Sequence, residues 1–172
     1  MMEKVMVIGV SAGVGKSTFA KQLGAKTGIP VYHLDTLYWK PGWVKSTQED
    51  FTYAQQRIVN QREWIIEGNY SSTYEIRAEE ADTIIYLELP LRICLYRVMK
   101  RWLTNIGRNR EDMGPGCPEK MDKEFLSFIL KTYHKRKNNS EERLRYFNNL
   151  GKPKNVYRLK TKKAISQFLN KL

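Results

Sequence analysis

The sequence predicts an α/β domain in which helices wrap a parallel sheet. Three observations predict it. Short, continuously apolar runs rich in β-branched residues alternate with stretches of helical period along the chain. The first such run ends in a glycine-rich turn leading into a helix, the strand–turn–helix context of a phosphate-binding loop. The 172 residues, 41% hydrophobic and 28% charged, suit one globular domain of ordinary size with its own core.

Taken in order, KVMVIG (4–9) is apolar and closed by glycine, so it reads as a buried strand. GKSTFAKQLGAKTG (15–28) is a helix, with Phe19, Ala20 and Leu23 on one face and Gly28 with Pro30 as its stop. PVYHLD (30–35) is a second strand, ending at Asp35. TQEDFTYAQQRIVNQ (47–61) is a helix capped by Thr47, with Asp50 completing a capping box in place of glutamate. EWIIEGNY (63–70) and DTIIYLELP (82–90) are further strands. LRICLYRVMKRWLTNIG (91–107) is a helix, RNREDMGPGCP (108–118) a loop, and EKMDKEFLSFILKTYHKR (119–136) another helix. SEERLRYFNNLG (140–151) reads as a separate helix with a glycine stop, before the strand NVYRL (155–159) and the helix KKAISQFLNKL (162–172). Each strand reads as internal to the sheet. The stretch from about 104 to 139 carries no strand and is expected to be an insertion outside the sheet layer.

No run approaches the roughly 18 consecutive apolar residues of a membrane span. MMEKVMVIGV lacks the layout of a secretory leader, so cytoplasmic residence and no membrane partner are expected. Cys94 lies in an apolar-periodic stretch and reads as a buried small hydrophobe. Cys117 has no C-x-x-C partner, which excludes a structural zinc site. The net charge of +12 fits nucleic acid, an acidic surface or anionic small substrates, and equally a lysine-rich solvated surface. Much of it sits in KTYHKRK and LGKPKNVYRLKTKK, whereas arginines concentrate between 92 and 110.

VIGVSAGVGKSTFA (7–20) departs from the usual G-x-x-x-x-G-K-[ST] spacing: Val10 stands where a glycine is expected, and Gly9 lies one residue early. Either Gly9 supplies the turn out of the strand, or Val10 adopts an extended conformation that needs no glycine. The phosphate-contacting amides come later, in Ser11, Ala12, Gly13, Val14, Gly15, Lys16, Ser17 and Thr18. Free N–H groups and the positive end of the helix dipole there suit phosphate oxygens. Lys16 would reach the outer phosphates of ATP, and the Ser17 hydroxyl would join a Mg2+ shell.

Together, MVIGVSAGVGKSTFAKQLG, HLDTLYWKPGW, WIIEGNY, PLRICLYRVMKR and GCPEKMDKEFLSFI resemble the bacterial DNA topology modulation proteins, P-loop kinases related to adenylate kinase and similar to shikimate kinase. HLDTLYWKPGW and GCPEKMD are the specific part of the resemblance. It implies a three-layer α/β/α P-loop NTPase with a five-stranded parallel sheet ordered 2-3-1-4-5, an acceptor-binding subdomain about 36–62 and a mobile helical lid about 104–139. Arg97 and Arg101 are four apart on one helix face and follow Pro90 at the spacing of an adenylate kinase pair. The resemblance gives them the adenine and the phosphates respectively. Arg108 and Arg110, on a glycine-bearing loop, would bring positive charge to the transferring group as that loop closes, with Arg136 as a further contact. The resemblance places Glu67 at the magnesium-bound water and Asp35 at the acceptor hydroxyl, as general base or as positioning group.

The acceptor stays open in the sequence. Tyr38, Trp39, Trp43, Phe51, Tyr53, Asn69, Tyr70 and Tyr74 suit a flat ring or, equally, the packing of the subdomain itself. Ser71 stands where adenylate kinases place an acceptor-phosphate arginine, with Arg57 or Arg77 as substitutes. His33 reads as a packed or hydrogen-bonded strand residue, and His134 lies in the basic lid helix. The leading expectation is a monomeric phosphotransferase dependent on Mg2+ and ATP. The alternative is an ATP-switched regulator that binds DNA, although no nucleic-acid-binding motif is present.

Overall fold

The computed structural model describes residues 2–151 and 154–172; Lys152 and Pro153, part of the basic run noted above, lie outside the described residues. Five parallel strands form the sheet: β1 (Lys4–Gly9), β2 (Val31–His33), β5 (Trp64–Glu67), β6 (Thr83–Leu87) and β7 (Asn155–Leu159), ordered β2-β5-β1-β6-β7. The order differs in its numbering from the expected 2-3-1-4-5. The reason is a separate antiparallel hairpin, β3 (Trp39–Lys40) with β4 (Val44–Lys45), between β2 and β5 in the chain. β1, β5 and β6 carry the unbroken apolar runs and are almost wholly buried.

The helices follow the connections. They are α1 (Lys16–Thr27), α2 (Leu34–Tyr38), α3 (Gln48–Val59), α4 (Tyr74–Glu80), α5 (Leu91–Asn105), α6 (Lys123–Asn148) and α7 (Lys162–Asn170). Right-handed crossovers in this order put α1 and α7 on one face of the sheet and α3, α4 and α6 on the other. Packing agrees: Phe19 of α1 meets Phe168 of α7 at 5.9 Å, and Tyr74 of α4 meets Tyr146 of α6 at 6.3 Å. Caps are placed as their sequences dictate. The Thr47 hydroxyl accepts from the Asp50 amide, Asp122 from the Phe125 amide and Thr161 from the Ala164 amide. The Asp50 carboxylate goes to Lys40 at 3.1 Å.

Three expectations are corrected. Asp35 does not end a strand. β2 stops at His33, and Asp35 lies in the first turn of α2. The two helices expected over 119–136 and 140–151 are one, the 26-residue α6, because no proline or glycine interrupts residues 137–139. β2 and β7 are edge strands, and β7 exposes most of its residues. Sequence periodicity also passed over α4, a seven-residue helix.

Arg77 explains why α4 matters. It is fully buried, and its Nε, Nη1 and Nη2 donate to the carbonyls of Thr73, Gly68 and Tyr70 at 3.3, 3.1 and 2.6 Å. Burial lowers its pKa to about 10. The side chain thus ties down the loop that follows β5 and offers nothing to an acceptor. Replacing Arg77 with Ala would strand these carbonyls. It is expected to destabilise the chain by about 2–4 kcal/mol, read from the urea midpoint. Arg77→Lys is expected to recover little, since one ammonium cannot reproduce three directed donors.

Candidate active site

A cleft of about 1740 Å³ opens at the carboxyl ends of β1 and β5, the end of an open parallel sheet at which ligands bind. Its floor is the turn from β1 into α1. The departure at Val10 is resolved there. Val10, just past the end of β1, is fully buried, its amide donates to Leu87 O at 2.9 Å, and its φ is not positive, so the exit from the strand has no need of glycine there. Gly9 serves a different purpose. A Cβ there would lie 2.6 Å from Val14 Cγ1 and 3.2 Å from Lys16 Cγ, so its bareness lets the loop fold back over the strand. The Asn69 side chain clamps the Gly9 backbone from both sides, accepting from its N–H at 2.9 Å and donating to its carbonyl at 2.7 Å.

Gly13, at φ 75°, fits so closely that a Cβ would fall on the Cys94 carbonyl oxygen of α5. The first turn of α1 opens directly after it, at Lys16. Ala12 through Thr18 line the cleft; Ser11 does not. Ser11 is buried beneath the loop with its hydroxyl unpartnered, and it contributes its carbonyl, 3.4 Å from Lys16 Nζ. Arg97, from α5, donates to Val14 O at 3.0 Å and lines the cleft beside the loop.

The Ser17 hydroxyl donates to the Glu67 carboxylate at 2.9 Å, and His33 Nδ1 shares the same Glu67 oxygen at 2.9 Å. Hard oxygen donors of this kind suit Mg2+. Among the described residues no group of three or more His, Cys, Asp or Glu is arranged to hold a metal. A cation here would therefore complete its shell with phosphate oxygens and water, as Mg2+ does in nucleotide sites. The bare glycine curl, the lysine and the hydroxyl–carboxylate pair all fit a magnesium-bound polyphosphate.

Asp35 faces the same cleft, and its Oδ1 accepts the Tyr70 hydroxyl at 2.6 Å. Burial and the neighbouring Glu67 charge raise its pKa above the ordinary 3.8, against the lowering pull of Tyr70, Lys16 and Arg110. Tyr38, Phe51 and Tyr70 pack ring on ring at 4.8–5.1 Å behind it, and Trp39 stands edge-on to Trp43 at 5.4 Å. Much of the aromatic block therefore packs on itself.

Of the expected arginines, Arg101 and Arg110 line the cleft and Arg108 does not. Arg108 is exposed, because the loop directs only alternate arginines inward. Arg57 is exposed on α3, outside the cleft. Arg136 lines the cleft, its guanidinium 4.7 Å from the Phe128 ring. Sequence reasoning missed Arg143, which donates to Ser71 Oγ at 2.6 Å. It thereby brings a guanidinium to the position where the resemblance looked for an arginine, seven residues along the same face of α6 from Arg136. It also missed two carboxylates of the loop. Glu119 is buried between Arg101 and Arg110, and Asp112 pairs with Arg110 at 3.1 Å. Burial pushes Asp112 up, but Arg110 and the Ser17 hydroxyl outweigh it and hold the carboxyl below its ordinary value.

The two most specific sequence stretches turn out to be one docked unit. The Gly42 amide donates to Gly116 O at 2.9 Å, Cys117 Sγ donates to Lys40 O at 3.2 Å, and Lys120 Nζ lies 5.0 Å from the Trp43 ring. The β3–β4 hairpin and the 106–122 loop close over the cleft together.

No protein-family profile matches the chain, and no curated protein matches it. Solved structures do. A shikimate kinase from Acinetobacter baumannii, in complex with shikimate, is 14% identical, with 99% of this chain and 90% of that one covered at a TM-score of 0.56. A sugar kinase from Janibacter sp. is 15% identical over 99% and 92% at 0.54. A gluconokinase from Sinorhizobium meliloti is 13% identical over 98% and 87% at 0.53. At these identities the likeness establishes the fold, which this chain shares with small-molecule kinases. The loop geometry makes its own prediction. Val10→Gly is expected to cost about 1.5–3 kcal/mol of stability through lost burial, read from the urea midpoint. Gly13→Ala is expected to cost at least as much, because its Cβ would collide with the Cys94 carbonyl at a positive φ, and the same measurement checks it.

Proposed function

We propose that the chain is a phosphotransferase that moves the γ-phosphoryl group of magnesium–ATP to a hydroxyl or phosphate of a small acceptor. One observation carries this reading: a phosphate-loop lysine, a Ser17–Glu67 pair, inward arginines and the buried carboxylate of Asp35 converge in a single cleft. The fold shared with kinases supports it, as does the resemblance to the topology modulation proteins. The backbone amides from Gly13 to Thr18, with Lys16, would hold the phosphates, Arg97 the far end of the nucleotide, and Ser17 with Glu67 the magnesium. Bound there, magnesium–ATP supplies the transferable phosphoryl group.

The chain's own residues do the rest. Arg101 and Arg110 set positive charge where negative charge spreads over the transferring group. The docked loop and hairpin exclude water from it. Asp35 is the acceptor-side base: Tyr70 holds one carboxylate oxygen, which leaves the other to take the acceptor's proton. A base whose pKa is raised takes that proton more readily near neutral pH. On this reading the hairpin, α3 and the 106–122 loop frame the acceptor.

Calorimetry with magnesium–ATP tests the donor half: the wild-type chain is expected to bind and Lys16→Ala to lose at least tenfold in affinity with its fold intact. A wild type that ignores magnesium–ATP would end the proposal. ADP release screened across nucleosides, nucleoside monophosphates and small alcohols tests the acceptor half.

Asp35 makes two further predictions. Its carboxylate must be ionised to act, so the rate is expected to fall with decreasing pH over a range above that of an ordinary aspartate. Tyr70→Phe removes a bond that lowers the pKa and should move this acid limb to still higher pH. In the folded chain Asp35 binds its proton more tightly than in the unfolded chain. Ionisation therefore lowers stability as pH rises from the ordinary 3.8 through the raised value, and the loss is complete above it. Asp35→Asn is thus expected to raise Tm at neutral pH while lowering turnover at least about 100-fold.

A further inference from the structure

We infer that Glu119 is a positioning residue for phosphoryl transfer, one that holds Arg101 of α5 and Arg110 of the 106–122 loop as a single unit at the cleft. The inference rests on the phosphotransferase reading. Glu119 Oε1 accepts from Arg101 Nε at 3.1 Å and lies 3.0 Å from Arg101 Nη2, and Oε2 forms an ion pair with Arg110 Nε at 2.6 Å. The carboxylate is only 4% exposed, so these contacts replace nearly all of its hydration.

Charge explains why the carboxylate is needed. Burial and the Arg110 charge both lower the pKa of Arg101, while Glu119 raises it. Remove that charge and two guanidiniums face one another in a partly desolvated cleft with Asp112 on one of them alone. Buried ion pairs contribute little net stability, so stability by itself gives little reason for this cluster.

Donor geometry explains what it achieves. Arg101 spends Nε and Nη2 on Glu119; Arg110 spends Nε on Glu119 and Nη1 on Asp112. Each guanidinium keeps one terminal nitrogen, Nη1 and Nη2 respectively, with two N–H groups for a phosphate. Because the fork is planar, fixing one edge fixes the direction of the other. The arginines are thus oriented before the nucleotide arrives.

Glu119 is itself anchored. Its amide donates to Arg108 O at 2.8 Å, and the preceding Cys117 amide donates to Asn109 Oδ1 at 2.6 Å, so the loop closes on itself. The Cys117 thiol then bonds the hairpin at Lys40 O. A carboxylate on the acceptor-side strap therefore sets the phosphate-side arginines.

The test is calorimetry of the full chain with magnesium–ATP and with AMP, alongside Tm. Glu119→Gln keeps the side-chain shape and removes the charge. It is expected to weaken magnesium–ATP at least tenfold and AMP less than threefold, and Glu119→Asp should recover part of the loss. Glu119→Asp is also combined with Arg110→Met. If Glu119 acts through these arginines, the double variant loses clearly less than the sum of the two single losses, and this cycle decides the matter even where Glu119→Gln does not fold. Unchanged magnesium–ATP affinity in a folded Glu119→Gln overturns the inference, as do equal losses for both nucleotides or additive losses in the cycle. A wild type that binds no magnesium–ATP overturns the phosphotransferase reading and this inference together. A wild type that binds, beside a variant that binds equally, overturns this inference alone.

Discussion

The structure depends on how the first strand leaves the sheet. Val10 keeps the sheet bond to Leu87, and Asn69 holds both backbone groups of Gly9, so the chain turns into the glycine-rich loop from a fixed point. The loop can then press against α5 so closely that only glycine fits at position 13. Everything chemical in the cleft is placed relative to that exit. Because β1 lies between β5 and β6, their carboxyl ends deliver Glu67 on one side and α5 with its arginines on the other.

A second constraint is electrostatic. A net charge of +12 would suit a chain that presents its arginines bare. At the cleft it does not. Arg101 and Arg110 share Glu119, Arg110 also meets Asp112, and the hydroxyl of Ser17 meets Glu67. Arg101 and Arg110 are each matched by a carboxylate that fixes direction while leaving donors free, whereas Lys16 and Arg97 rest on backbone carbonyls. Arg77 shows the contrasting use of the same residue type. Its donors are taken by three carbonyls, and its work is to hold a loop.

The cleft closes by contacts between segments far apart in the chain. The hairpin at 39–45 and the loop at 114–120 meet through backbone bonds, a thiol and a lysine over an indole. Two arginines of α6, Arg136 and Arg143, reach the same region, the first lining the cleft and the second bonded to Ser71. Charge from a late helix thus stands in for charge that a loop after β5 could have carried.

What the sequence determined by itself was local. Unbroken apolar runs marked β1, β5 and β6, shorter β-branched runs marked β2 and β7, Thr47 marked the start of α3, and the Gly13–Thr18 stretch marked the glycine loop, because each depends on neighbours within a turn or two. Short elements without a full period, α2, α4 and the hairpin, were not legible, and neither was the fusion of two expected helices into α6. Only the tertiary structure decided which arginine faces the cleft, that Arg108 turns outward, and that Glu119, Asp112 and Arg143 belong to the site. Those facts follow from contacts across tens of residues, whose burial and charge pairing no local pattern encodes.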